Sequence, residues 1–596
     1  MASRRTSYLL ASLLISCLLS FGFSYKELFP SPKIFQKFQP EFSEDDIFDK
    51  SGISKPLHPE RHILRAPTTI KLHWEITQGH RSPDGVRKLV YLINGLFPGP
   101  TIEARSGDTI KVGVRNLLKY EGVAIHWHGI HMKGANRMDG AVGITQNPIQ
   151  PGCNITYEFG IEDTQAGTFW YHSHLGIQRA DGLYGGLIIH PPLIDKVHKT
   201  KTPEYEEESL LLMGDWYHRY AEDVQASYVN HDSWGREPVP DSLLINGMGS
   251  FNCSKAVQSR PLDCAQYSSS PLVLNQPRTR LRVVNVGAIS GLVFRMPRCH
   301  MTIIEIDGGN EIERSPEVSS VGILYPGERM DLLVECPMGS EAAGFHLSIT
   351  LDAENFAIKN KALTPTHTFP ISTTANVLTK RGHSYLPPKI VKGEGYFDLA
   401  EVNGTALPDN SFSMIANHTV LLYTKMEILA RLGNVPVGFI NRTTWAAQSS
   451  PPEPLVDLDR VDWDKNQLVP WIRISRDQSS PSWVDIVVNN LDEKGHPFHL
   501  HGYDFYILSQ YYPTRRGYHA YDPFDPSTPP TSSDLPGGPY NLANPPLKDT
   551  VYVPSQGYVV LRIRADNVGI WFFHCHILWH SGAGMAMALE VRYHNE

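Results

Sequence analysis

Histidines in this chain recur as alternating pairs, and the pairs lie far apart. His126-Trp127-His128 and Tyr171-His172-Ser173-His174 fall in the first third. His496-Pro497-Phe498-His499-Leu500-His501 and His574-Cys575-His576-Ile577-Leu578-Trp579-His580 fall near the end. In an extended strand, alternate side chains point to opposite faces. Each His-x-His pair on a strand therefore presents both imidazoles to one side. For the pairs to act together, the two ends of the chain must fold against each other.

The last motif carries the most chemistry. As a strand, it turns His574 and His576 to one face and Cys575 to the other. Cys575, His580 and Met585 offer thiolate, imidazole and thioether, the set that suits a blue copper electron-transfer centre. His496 stands outside its pair, three residues before His499, and can turn toward Cys575 to complete that site. The four pairs together supply eight imidazoles, enough for a small cluster of copper ions. Electrons could pass between the two centres through the Cys575 backbone. One such pair is weak evidence, because most are surface or core histidines. Four pairs with Cys, His and Met at fixed offsets leave little room for accident. Zinc, the rival metal, favours three or four ligands in one tetrahedral site and has no use for the remaining imidazoles.

Gly 47 and Pro 45 are abundant and helical runs are few, which favours an all-β chain of short strands and many turns. At 596 residues several domains are expected. Lys71-Leu-His-Trp-Glu-Ile-Thr and Thr109-Ile-Lys-Val-Gly-Val-Arg alternate as strands in a first unit. The polar stretch from Asp195 to Glu208 reads as a linker. A second unit has alternating strands at Arg280-Leu-Arg-Val-Val-Asn and Met330-Asp-Leu-Leu-Val-Glu but no His-x-His pair, and reads as a structural spacer. A third unit reaches the C-terminus. Its segment from Tyr511 to Pro546 is rich in Pro, Gly, Tyr and Ser. Such a long irregular loop is usually functional or mobile, and this one is expected to form the rim of a substrate site. The formal charge of -8 argues against a nucleic-acid partner.

Met1-Ala-Ser-Arg4-Arg5 followed by an apolar run to about Phe23 has the marks of a secretory signal peptide. Asn154, Asn252, Asn403, Asn417 and Asn441 each open a glycosylation triplet, which agrees with export. Of seven cysteines, Cys17 lies in the leader and Cys575 is a metal-ligand candidate. Cys253 with Cys264 closes a short loop and fits a disulfide. Cys299 with Cys336 is a second pairing, which leaves Cys153 odd. The sequence leaves the connectivity open.

With these motifs in hand, the chain resembles the three-domain multicopper oxidases: laccases, ascorbate oxidases, bilirubin oxidases and ferroxidases. Within that family it is most similar to the plant low-phosphate-root oxidases. Supporting stretches are Asn94-Gly-Leu-Phe-Pro-Gly-Pro-Thr-Ile, Thr145-Gln-Asn-Pro-Ile-Gln-Pro-Gly, Gly176-Ile-Gln-Arg-Ala-Asp181-Gly-Leu-Tyr-Gly and Tyr325-Pro-Gly-Glu-Arg-Met-Asp331. The resemblance implies an all-β fold of three cupredoxin-like Greek-key β-barrel domains. It implies a signal peptide at 1–24, an N-terminal arm at 25–66, and domains at 67–197, 205–380 and 390–596, the last with the type 1 copper.

By the same resemblance the cofactors are four copper ions: one type 1, one type 2 and two type 3. The type 1 copper takes His496, Cys575 and His580, with Met585 axial; Met587 is off the family offset. The type 2 copper takes His126 and His499. One type 3 copper takes His128, His172 and His576, the other His174, His501 and His574. Asp139, in Met138-Asp139-Gly140, matches a family acid near the cluster and is the proton-relay candidate. His131 and His190 read as structural histidines. The implied reaction is one-electron oxidation of a substrate coupled to reduction of dioxygen to water, through Cys575, His574 and His576.

The subfamily likeness points to Fe(II) as the reducing substrate, in iron and phosphate homeostasis of roots. A hard cation needs carboxylates near the type 1 histidines; Asp492, Glu493 and Asp477 are the candidates. The alternatives are a laccase-type phenol oxidase and a non-catalytic copper-binding wall protein. Further expectations are a monomer in the secretory pathway, in endoplasmic reticulum or cell wall, with peripheral membrane or wall association.

Overall fold

The computed structural model describes residues 52–193, 204–257, 260–338, 345–373, 395–407, 412–476, 482–515 and 517–594. The expected leader, most of the expected arm, and Asp477 lie outside these residues. Strands dominate. Ala221–Tyr228 and Leu578–Ser581 are short α-helices. No helix among the described residues is long and apolar enough to cross a membrane.

Six sheets pair into three sandwiches. In the first, one sheet runs Lys88–Ile93, Thr69–Arg81, Thr109–Asn116, Asn154–Gly160. Its partner runs Ile102–Arg105, Tyr184–His190, Gly167–Ser173, Ile125–His128. Thr69–Arg81 lies parallel to Thr109–Asn116, so the chain crosses between sheets instead of meandering. The outer sheet alternates buried and solvated positions along Thr109–Asn116 and Asn154–Gly160. That is the pattern of a sheet with one wet face.

The histidine strands break this alternation. Ile125–His128, Gly167–Ser173 and His496–Leu500 are buried at every residue, as is Gly569–Cys575 after its first glycine. Each has one face on its own sandwich core and the other against a different domain. A single apolar cluster contains Trp74, Trp127 and Tyr171 from the first domain with Phe498, Trp571 and Trp579 from the third. The middle domain has a separate core built on residues such as Leu211, Val283, Phe294 and Leu332. Shared burial thus holds the first and third domains face to face, with the four motif strands between them.

The segment from 52 to 66 does behave as a wrap. Lys55–Pro56 pairs with the Glu207–Trp216 strand, and Ile53 enters the middle core. Cys253–Cys264 and Cys299–Cys336 are disulfides, and Cys153 is an exposed free thiol. The loop expected at a substrate rim divides: Tyr512, Thr514, Arg515 and Pro546 line a cavity beside the middle domain, while Tyr521, Leu535 and Tyr540 cover Val487, Tyr558 and Val560 on a third-domain sheet.

Candidate copper centres

Strand register places the imidazoles. In the first domain, His126 pairs with His172 and His128 with Trp170. In the third, His499 pairs with His574, while Phe498 pairs with Cys575. The pleat therefore puts His499 and His574 on one face and Cys575 on the opposite face. The two sets meet. His126 stacks on His501 with centroids 3.8 Å apart, and His128 on His499 at 3.7 Å.

Donor atoms of His126, His128 and His172 lie within 4.8 Å of one another, as do those of His126, His499 and His501, and of His174, His501 and His574. The His576 ring is 5.0 Å from His128 and 5.7 Å from His172. All eight cluster histidines are thus brought together.

The outer nitrogens are assigned by hydrogen bonds. Nδ1 of His126 donates to the Asp139 carbonyl, His172 to the Ser173 carbonyl and His499 to the Asp549 carbonyl, at 2.8, 2.9 and 2.8 Å. That leaves Nε2 of His126, His172 and His499 buried with no partner, as is Nδ1 of His128. An unpartnered buried polar atom costs about 1–3 kcal/mol. Several from one cluster make sense as metal donors, so the residues fit copper. Burial first, and then the crowding of neighbouring imidazoles, hold His501 and His574 well below the usual imidazole range.

On the far face, His496 Nδ1 and His580 Nδ1 lie 3.1 Å apart, and Cys575 Sγ lies 3.8 and 3.9 Å from them. Burial opposes ionisation of the thiol, but the two histidines outweigh it and bring Cys575 down to about 7. Met585 is fully buried, and its carbonyl accepts from the Cys575 N–H at 3.0 Å. His574 Nδ1 donates to the Cys575 carbonyl at 3.0 Å, a direct link between the two centres.

Asp139 is buried, with Oδ2 accepting from His501 Nδ1 at 2.8 Å, so it touches the cluster as expected. Of the candidate acids among the described residues, Asp492 is the one on a histidine of the thiolate site: its Oδ2 is 2.8 Å from His496 Nε2. Glu493 is exposed.

The middle domain is more than a spacer. Its Glu237 brings Oε1 to 3.7 Å from His580 Nε2. Its Arg329 makes a two-pronged pair with Asp549, whose Oδ1 lies 3.3 Å from His128 Nε2. Its Glu354 accepts from the N–H of Gly495, beside His496, at 3.0 Å. Arg179 Nη1 sits 2.8 Å from His576 Nδ1. No local spacing marks Glu237 or Arg329, because their partners lie hundreds of residues away.

Comparison with known proteins agrees with this geometry. Models of the multicopper oxidase family match residues 75–193, 207–369 and 459–595. Laccase-2 of Cryptococcus neoformans var. grubii is 30% identical, over 89% of this chain and 85% of its own. L-ascorbate oxidase of Brassica rapa subsp. pekinensis is 32% identical, over 86% and 90%. The crystal structure of Fet3p, a multicopper oxidase that functions in iron import, superposes with a TM-score of 0.70 at 25% identity, covering 88% of this chain and 90% of that one.

Proposed function

This chain belongs to the multicopper oxidase family, and within it we propose a ferroxidase that oxidises Fe(II) and reduces dioxygen to water. One observation carries the choice of substrate. The outward nitrogen of each type 1 histidine faces a carboxylate, Asp492 at 2.8 Å and Glu237 at 3.7 Å. Oxygen ligands at both electron-entry rings suit a hard cation. Asp492 and Glu237 side chains are 15% and 9% exposed, so the acids lie just under the surface. The solved relative that functions in iron import supports the same reading.

In this reading His496, Cys575 and His580, with Met585, would hold the type 1 copper. His126 and His499 would hold the type 2 copper; His128, His172 and His576, and His174, His501 and His574, would hold the type 3 pair. Bound copper supplies the one-electron redox chemistry that joins the substrate to dioxygen. Asp492 and Glu237 bind and orient the Fe(II) substrate against His496 and His580. The Cys575 carbonyl holds His574 in place. Asp139 holds a proton at His501 Nδ1. Arg329 and Asp549 fix His128 and His499. Residence in the secretory pathway, glycosylation, and a low-phosphate-root type of role in iron and phosphate homeostasis complete the proposal.

A second reading has one observation in its favour. A cavity of about 530 Å³ lies between the middle and third domains, with Tyr325, Tyr512, Val551 and Tyr552 in its wall beside the charged Glu354 and Lys548. Tyr552 also bonds Glu354, which holds Gly495. In this reading, that of a laccase-type phenol oxidase, the tyrosine rings would stack on a phenol.

Turnover of ferrous iron and of a phenol at one pH separates the two. Ferroxidase action predicts that Asp492→Asn with Glu237→Gln raises the KM for iron at least about 10-fold, the scale of losing a charge-assisted ligand, and spares phenol turnover. Unchanged iron kinetics in the double variant would remove Fe(II) as the substrate of these acids.

A further inference from the structure

Glu237, the middle-domain acid at His580, sits near the end of a long loop, residues 217–241, between strands Glu207–Trp216 and Ser242–Ile245. Loops are the mobile parts of a fold, and this one holds a carboxylate 3.7 Å from an imidazole. At that distance the two groups are beyond a hydrogen bond, so something else sets their spacing. Glu237 Oε2 does accept from Lys494 Nζ at 2.7 Å, but that lysine side chain is 28% exposed and pulls the other oxygen.

One hydroxyl spans the gap. Tyr217 opens the same loop. Its Oη donates to the carbonyl of Pro238, the residue after Glu237, at 3.0 Å. It accepts from Nε1 of Trp579, the residue before His580, at 3.1 Å. The two rings meet edge to face, with centroids 5.1 Å apart. Tyr217 and Trp579 are both buried, so water does not compete for these bonds. Tyr217 is itself fixed from the first domain. Lys88 Nζ donates to its carbonyl at 2.7 Å and pairs with Asp181 at 2.6 Å. Asp181 also accepts from the N–H of Ala221, a little further along the loop, at 2.9 Å. The start of the loop is thereby anchored, and the hydroxyl carries that anchor to the backbone beside Glu237.

We propose that Tyr217 is a positioning residue for electron entry: its hydroxyl holds Glu237 against His580 across the boundary between the middle and third domains. Fe(II) as the cation rests on the ferroxidase reading above; the spacing of carboxylate and ring does not. A hydroxyl that only satisfied two core polar groups would change stability alone when removed. One that sets the spacing also changes how the carboxylate meets the cation and how its negative charge acts on the type 1 ring.

The test uses the full, copper-loaded protein with Tyr217→Phe, alone and combined with Glu237→Gln. Phenylalanine keeps the ring against Trp579 and the backbone carbonyl that meets Lys88. Copper content and the blue band report an intact fold. Tyr217→Phe is expected to raise the KM for Fe(II) by about 3–10-fold, the worth of one neutral hydrogen bond, and by more than it changes kcat. The type 1 potential, read by redox titration of the blue band, is expected to rise in Tyr217→Phe and in Glu237→Gln alike, because a carboxylate at the ring favours the oxidised ion. In the Glu237→Gln background Tyr217→Phe is expected to shift neither quantity further, since changes acting through one contact are not additive. A raised potential with an unchanged iron KM would keep the positioning role and count against Fe(II) as the substrate. Wild-type KM and potential in Tyr217→Phe, or equal shifts in both backgrounds, would overturn the role.

Discussion

Asp139 Oδ2 accepts a hydrogen bond from His501 Nδ1 at 2.8 Å, across 362 residues of chain. The same residue's carbonyl accepts from His126 Nδ1 at 2.8 Å. One aspartate in a turn of the first domain therefore orients a histidine from each half of the cluster. A ligand's outer hydrogen bond fixes its tautomer and tunes its basicity, and its loss costs about 10–100-fold. Asp139→Ala is expected to slow reoxidation by dioxygen by about that factor, while reduction by substrate proceeds normally. Stopped-flow recovery of the blue band after reduction measures it. Equal reoxidation rates would remove Asp139 from the oxygen half of the reaction.

Arg329 and Asp549 form a fully buried pair between the middle and third domains. Removing one partner strands the other charge, at a cost of about 3–5 kcal/mol. Arg329→Met is expected to lower stability to denaturant by that much, and to reduce copper content because Asp549 also bonds His128 and His499. Denaturation curves with metal analysis check both. A variant as stable as wild type would mean the pair is dispensable.

Lys494 Nζ donates to Glu237 Oε2 at 2.7 Å, and the lysine side chain is 28% exposed. An incoming cation must compete with this ammonium. Lys494→Met is therefore expected to lower the KM for Fe(II), by a few-fold, on the scale of about 0.2–1 kcal/mol for a partly exposed pair. Phenol kinetics should not change. A raised iron KM would show that Lys494 assists the cation instead.

His131 lies between Glu162 at 2.8 Å and Asp504 at 3.1 Å, joining the first and third domains. Lys133 lies 3.5 Å from Glu162 and 3.5 Å from Asp566. Burial opposes the imidazolium, but Asp504 and Glu162 outweigh it and raise His131 from 6.5 to about 10. A value raised on folding gives stability that is complete below the ordinary imidazole value and is lost as pH climbs through the folded one. Thermal midpoints of wild type and His131→Gln should differ most at pH 6 and converge as pH rises toward 10. A gap that widens with pH would contradict the assignment.

Local pattern made much of this molecule legible. Period-two alternation marked the strands, and the His-x-His pairs needed only the pleat to place both rings on one face. His496 was legible through its offset from His499. Asp492 was identifiable as a neighbour of His496, though nothing in the sequence separated it from Glu493. Glu237 and Arg329 were not legible, because each acts on a residue more than 200 positions away and sits in a domain with no metal motif. The loop after Tyr511 was legible in part: its composition marks a long loop whose ends line the cavity, but not which sheet Tyr521 and Tyr540 cover.

The central claim is that two ends of one chain assemble a mononuclear thiolate site and a histidine cluster on opposite faces of the same strand. Copper analysis with absorption spectroscopy on wild type and Cys575→Ser tests it most directly. Wild type is expected to hold four copper ions and to show a blue thiolate band. The variant is expected to lose the blue band and one copper, with the cluster coppers retained. Fewer than four coppers and no blue band in fully loaded wild type, or a blue band that survives Cys575→Ser, would contradict it.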